Sequence, residues 1–370
     1  MKKILSILLF TISTTFILSD AYAQGCVAIK GSGTSCMMSR VDPSDKPGWV
    51  FTTGMRYFSS FRHFSGKEEN KDRLIQSTEV INHSATIDLA LTRIINDRWS
   101  IMIDVPIISN ARSSLYEHGL VNGQYVKRER RSMHSFGISD IRVAAYRWML
   151  DPGKHHRANI QLGLGIKLPT GDYNYKDYWY NVAPDGGKEL RTVDQSIQLG
   201  DGGTGLTVEA NTYYNLTQSL GVYGNFFYLV NPREQNGVRT YRETLTPALA
   251  NEAICSVPDQ YMARAGMNYS FKNLKGLSLA AGARIEGIPV YDLIGGSGDF
   301  RRPGCAMSVE PAVNFAIKKF SFSASVPVIF ERNRTQSVTD KENSIIRNTF
   351  VRGDAAFADY VVNVGMSVRF

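Results

Sequence analysis

The chain has 370 residues, with 42 Lys and Arg against 34 Asp and Glu, a formal net charge of +8, and 43% hydrophobic residues at a mean hydropathy of −0.20. The basic excess is spread through the chain with no dense Lys/Arg block, which argues against nucleic-acid binding. That hydropathy fits a water-soluble protein but does not exclude a membrane, because a barrel interleaves lipid-facing residues with polar lumen residues and hides its apolar signal.

At the N-terminus, Lys2 and Lys3 precede an apolar run from Ile4 to Leu18 and the small-x-small tripeptide Ala21-Tyr22-Ala23. Residues 1–23 therefore read as a secretory signal peptide cleaved before Gln24. The run is shorter than the ~20 apolar residues of a spanning helix, and Ala23, Gln24 and Gly25 ahead of Cys26 lack the leucine of a lipoprotein cleavage box. Residues 24–47 form a short segment holding Cys26 and Cys36, either a plug folded into a lumen or a periplasmic tail.

From residue 48 to the end the dominant signal is a two-residue alternation of apolar and polar side chains. It marks Trp49 to Phe61, Thr78 to Thr92, Trp99 to Ile107, Gly137 to Leu150, Arg157 to Leu168, Leu206 to Asn215 and Leu220 to Val230. It returns at Gln260 to Phe271, Leu277 to Ile288, Ala306 to Ile317, Phe320 to Phe330 and Phe357 to Phe370. In the clearest case Ile160, Leu162, Leu164 and Ile166 alternate with Asn159, Gln161, Gly163 and Gly165. Such strands have one apolar and one wet face. With no long apolar helix in the sequence, a membrane location requires a closed barrel, since only helices and barrels satisfy their backbone groups in lipid. The fold expected for residues 48–370 is all-β, a transmembrane antiparallel up-and-down β-barrel of about 12 strands. A chain ending on such a strand with Phe370 is similar to the sorting signal of bacterial outer-membrane barrels, and this implies the outer-membrane assembly machinery and the lipid bilayer as partners.

The connections alternate between short turns (Arg93 to Arg98, Asp151 to His156, Asn215 to Ser219, Lys272 to Gly276, Lys318 with Lys319) and long loops. This is the rhythm of periplasmic turns and extracellular loops. Pro106, Pro169, Pro232, Pro289 and Pro327 fall late in the upward strands or just past them. They mark either where strands leave the sheet or a loosening of the wall that opens sideways to lipid.

On the polar face lie Arg56, Asp88, Asp104, Asp140, Arg142, Lys167, Glu209, Arg264, Arg284, Glu286 and Glu310. A charge facing lipid at midplane costs up to ~2–4 kcal/mol, which assigns this face to the lumen. The mixed signs fit structural ion pairs across a narrow barrel or a polar constriction that orients a solute. The constriction candidates are Arg284, Glu286 and Glu310 first, then Asp140, Arg142, Lys167, Glu209 and Arg264. The four cysteines of an exported chain are expected to form disulfides, Cys26 with Cys36 and Cys255 with Cys305 by proximity. The second bridge would fix the loop Pro289 to Cys305 over the mouth. No metal-ligand spacing, nucleophile elbow or phosphate-binding glycine loop is present, so no catalytic or metal residue is assigned. His134-Ser135-Phe136-Gly137 only partly matches the His-Asp-Ser-Asn-Gly sequence of outer-membrane phospholipases.

Three stretches carry a family resemblance: Gly137 to Leu150 (GISDIRVAAYRWML), Gly165 to Asp172 (GIKLPTGD), and Arg284 to Val290 (RIEGIPV) with Arg301-Arg302-Pro303-Gly304. They resemble the outer-membrane transporter-like barrels named for the meta-pathway of phenol degradation, distantly similar to fatty-acid and toluene channels. The resemblance implies a passive channel for a small, hydrophobic or aromatic solute, with no cofactor. The alternative is a closed structural or surface-binding outer-membrane barrel whose long loops meet a partner.

Overall fold

Twelve antiparallel strands pair each with its neighbours in sequence, and the last pairs with the first. The computed structural model describes residues 23–24, 47–115, 130–183, 185–240, 245 and 247–370. The strands are β1 (Gly48–Ser65), β2 (Ile81–Ile94), β3 (Trp99–Ser114), β4 (Arg131–Ile138 and Arg142–Trp148), β5 (Ala158–Lys167) and β6 (Gly205–Asn215). The second half is β7 (Leu220–Val230), β8 (Gln260–Ser270), β9 (Leu277–Ile288), β10 (Gly304–Ile317), β11 (Phe320–Ser325 and Val328–Asn333) and β12 (Asp354–Arg369). Closure runs from Val50 opposite Arg369 to Phe64 opposite Ala355. At the foot of this seam Trp49 and Phe370 exchange both backbone hydrogen bonds, at 2.8 and 2.9 Å. The terminal residue is thus part of the ladder.

Burial is inverted relative to a soluble protein. On β5, Leu162, Leu164 and Ile166 are 42, 61 and 50% exposed, while Asn159, Gln161 and Lys167 are 4, 1 and 7% exposed. Leaving the aliphatic face out and the polar face in is stable only where the outside is hydrocarbon. The same phase holds on β3, where Ile101 and Ile103 point out and Asp104 points in.

The twelve alternating segments coincide with the twelve strands, but several strands run further. β1 continues to Ser65, β3 to Ser114 and β12 begins at Asp354. In these extensions the outward face loses its large apolar side chains or is covered: on β3 it carries Ser109, Ala111 and Ser113 while Arg112 and Ser114 stay buried on the inward face, and Asp354 to Ala358 of β12 are all buried, so the alternation read from sequence stops.

The prolines fall into two groups. Pro169, Pro232 and Pro289 follow the ends of β5, β7 and β9. Pro106 lies inside β3 opposite the interruption of β4, where the register slips between Asp104 opposite Arg142 and Ile107 opposite Ile138. There the Pro106 carbonyl accepts from Ser139 N–H at 2.8 Å. Pro327 interrupts β11, and above it β11 meets β12 at one residue pair, Val328 with Tyr360. A residue without an N–H sits at each break in the wall.

Two short helices, α1 (Lys71–Gln76) and α2 (Val338–Ile346), lie in the long loops beside the β1/β12 seam. There His63 is wholly buried; its Nε2 accepts from Val80 N–H at 2.9 Å, so Nδ1 carries the proton toward Asp354, 3.1 Å away. Arg73 completes the cluster at 2.5 Å from Asp354. The segment of residues 24–47, with Cys26 and Cys36, lies outside the described residues apart from Gln24 and Pro47.

The inverted burial predicts a depth-dependent penalty. Leu164→Arg should lower the folding free energy in lipid vesicles by about 2–4 kcal/mol, and Tyr214→Arg near the rim by about 0–1 kcal/mol, measured by reversible urea unfolding.

Candidate functional site

All eight constriction candidates project into the lumen or its wall gap, but they gather into separate groups instead of one ring. The first group joins β1 to β8, β9 and β10. Arg56 reaches Glu286 at 2.7 Å, with β12, β11 and β10 between their strands along the sheet, so the pair braces the barrel across its interior. Glu286 also accepts from Arg284 at 2.5 Å, and Glu310 binds Arg264 at 3.1 Å with Arg284 at 3.8 Å. Ser325 donates to Glu310 at 2.9 Å, and Arg264 also donates to Asn225 at 2.7 Å. Arg284, Glu286 and Glu310, read from sequence as neighbours, do come together; the cross-barrel partner Arg56 was visible only as a lumen residue.

The second group lies on the opposite wall. Arg142 binds Glu209 at 2.6 Å and Asp104 at 3.5 Å, and Tyr146 Oη donates to Glu209 at 3.1 Å. These contacts pass from β4 over β5 to β6, and Gly163 makes the crossing possible, because a Cβ there would lie 2.6 Å from the Tyr146 ring. The guanidinium of Arg142 stands 5.5 Å from the Phe227 ring centroid, a cation–π contact from β7. A third group sits beside the break in β4: Lys167 binds Asp140 at 3.4 Å and also Asp201, which belongs to the β5–β6 loop.

Above these groups the described parts of the β5–β6 and β9–β10 loops turn inward over the lumen. In the β5–β6 loop a hairpin of Lys176–Trp179 with Glu189–Thr192 leads into a 3₁₀ turn, Gln195–Ile197, capped by Asp194 through Ser196 N–H at 2.9 Å. Ser135 donates to the Ile197 carbonyl at 2.5 Å, while Met133, Trp179, Val193 and Ile197 pack as an apolar cluster. Asp194 then fastens the turn to two other parts of the molecule. It takes a bidentate pair of bonds from Arg302 at 2.8 and 2.5 Å and lies 3.7 Å from Arg112 of β3. Burial by itself raises this carboxyl, but Arg112, Arg302 and the Ser196 amide reverse the effect and hold it well below the usual carboxylate range. Arg301 likewise pairs with buried Asp292 at 2.7 Å and stiffens the β9–β10 loop.

The expected Cys255–Cys305 disulfide is corrected here: no bridge joins the two. Phe300, not Cys305, is the residue aligned with Cys255, and Phe300 exchanges backbone bonds with Ile254 and Ser256 at 2.9 and 3.1 Å. Cys305 is already part of β10, between Gly287 and Asn333, and shares a hydrogen bond with Tyr261. The β9–β10 loop is indeed tied to the preceding long loop, by backbone pairing in place of sulfur. Asp194 and Arg112 were missed as site residues, since neither stands in a motif and their contact depends on how a loop without sequence pattern folds back.

Between lid and ionic groups lies a cavity of about 130 Å³, lined by Phe58, Phe227, Leu229 and Ile288 on its apolar part and by Arg142 and Lys167 among its polar walls. This is close to the ~150 Å³ apolar cavity that holds benzene in an engineered protein. A lower cavity of about 50 Å³ lies beside Arg56, Arg264, Arg284 and Glu310, much smaller than the upper one.

No protein-family model matches this sequence, and no curated protein matches it. Among solved structures, an outer membrane channel from Pseudomonas putida F1 superposes with a TM-score of 0.53 at 12% identity, covering 90% of this chain and 100% of that one. The fold is that of an outer-membrane β-barrel. A Pseudomonas aeruginosa FadL homologue and the Ralstonia pickettii toluene transporter TbuX match with TM-scores of 0.39 at 8% identity, covering 87 and 89% of this chain and 90 and 91% of theirs.

Two outcomes test this arrangement. Arg56→Ala strips Glu286 of its cross-barrel partner and should cost about 3–5 kcal/mol of folding free energy in vesicles, read by urea unfolding. The lowered carboxyl of Asp194 means that its clamp is in place above the unfolded value of ~3.9 and fails only as pH falls through the lower folded value. Single-channel conductance should therefore stay flat from neutral pH to about 4, whereas Asp194→Asn should raise conductance throughout that range.

Proposed function

We propose that this protein is an outer-membrane channel for passive uptake of a small, hydrophobic or aromatic solute, in the manner implied by its resemblance to the transporter-like barrels of the phenol meta-pathway group. The observation that carries this reading is the benzene-sized cavity beneath the inserted loop, apolar on one part and polar, with several charges, on the other. A wide diffusive pore would leave an open column of water; here cross-braced arginines and an inserted loop leave room for one small ring. In the binding role, Phe58, Phe227, Leu229 and Ile288 take the apolar body of the solute, and Arg142 and Lys167 orient its polar substituent. Release from the lid requires Asp194 to part from Arg302. The outward apolar belt and the barrel fold support an outer-membrane location. No enzymatic step is assigned, and the groups that superficially invite one are structurally occupied: Ser135 of the His134-Ser135 pair is bonded to the lid.

The second reading, a closed barrel that binds a partner through its loops, draws on the same lid. Liposome swelling separates the two. Proteoliposomes should admit phenol and benzoate faster than protein-free vesicles and exclude disaccharides, and Asp194→Asn should speed the aromatic solutes severalfold; absence of permeation for every solute, in both proteins, selects the closed barrel.

A further inference from the structure

The short-turn end of the barrel carries a charge pattern that neither the lumen nor the lid uses. Trp49 on β1 and Arg93 on β2 are direct cross-strand partners, with the guanidinium 5.1 Å from the ring centroid. Two strands further round, Trp99 and Arg147 repeat the pair at 5.3 Å, and after two more strands Arg157 lies 5.2 Å from the Tyr214 ring. All three aromatics are outward and part exposed, at 39, 42 and 38%, and none of the three arginines has an ion-pair partner among the described residues. The neighbouring turns add Arg98, Lys154, Lys272, Lys275, Lys318 and Lys319 against the acids Asp97 and Asp151 alone.

We propose that these three arginine–aromatic pairs form a binding arc for anionic phospholipid headgroups in the periplasmic leaflet. An outward ring at the edge of the apolar belt sits at the hydrocarbon boundary. A guanidinium stacked on it is held at phosphate height, with donors left over to bind two phosphate oxygens side by side. An acidic protein partner would be met by cations at the tips of the turns. Here the three arginines lie against the wall, beside the rings, where lipid and not a soluble protein is the neighbour. The proposal rests on reading the short turns as periplasmic in a membrane-spanning barrel, and it is separate from transport.

The test uses the natural reporters. Of the four tryptophans, Trp148 and Trp179 are 6 and 2% exposed, so quenching by lipid reads Trp49 and Trp99. The folded protein is placed in vesicles of phosphatidylcholine containing brominated phosphatidylglycerol or, in parallel, brominated phosphatidylcholine. Phosphatidylglycerol should quench with roughly fivefold higher relative affinity, and Arg93→Gln/Arg147→Gln/Arg157→Gln should bring the ratio to about one. Lys318→Gln/Lys319→Gln should leave it unchanged. Equal quenching by both lipids in the natural protein overturns the proposal, as does a preference that survives the triple substitution or that vanishes equally with the lysine pair, which would mark diffuse charge and no site. Should the triple variant fail to insert, Arg147→Gln beside Trp99 supports the same comparison. A channel that still admits aromatic solutes while showing no lipid preference would leave the transport reading intact and remove this one.

Discussion

Every peptide group inside hydrocarbon must be paired within the protein, and a sheet can meet that demand only by closing on itself. The exchange of backbone bonds between Trp49 and Phe370 is where this chain does so. A last strand without a partner would leave both it and β1 with an unpaired edge in lipid, each group costing several kcal/mol. The inside-out burial depends on that closure. Once twelve strands wrap round, one phase of every strand faces lipid and the other faces an interior of fixed and small circumference.

The small circumference governs the electrostatics. Arginine side chains are long enough to reach from β1 to β9 or from β4 to β6, so charges that would line a wide pore as a screen instead bind one another across the lumen. Glycines at selected lumen positions, Gly163 above all, set how far one side chain can lean over the intervening strand. The interior is thus divided by braces into a cavity above and a narrower space below. The lid extends the same chemistry upward: Asp194 between Arg112 and Arg302 is a buried, fully partnered carboxylate that holds a loop in place by charge.

Alternation was legible in sequence wherever lipid touched one face, which is why β5 could be delimited nearly to the residue. It gave no sign of the upper reaches of β3 and β12, because the outward positions of β3 become Ser109, Ala111 and Ser113 and the first five residues of β12 are buried on both faces. The charges on the polar phase could be assigned to the interior one by one. Their partners could not: Glu286 finds its neighbour Arg284 two residues away, but also Arg56, 230 residues distant. Cys255 and Cys305 show the reverse failure, since proximity in sequence suggested a bond that is not formed, the 254–256 segment pairing with Phe300 instead.

By itself the sequence determined the number of strands, the face each turns to lipid, the rhythm of short and long connections, and the set of charges facing inward. These follow from local periodicity and from the cost of a charge in hydrocarbon, which act residue by residue. Only the tertiary structure decided which charges meet, how the described loop segments descend over the lumen, and how much space remains. Those depend on distances across a closed ring and on loop paths between strands, and no short-range pattern along the chain encodes either.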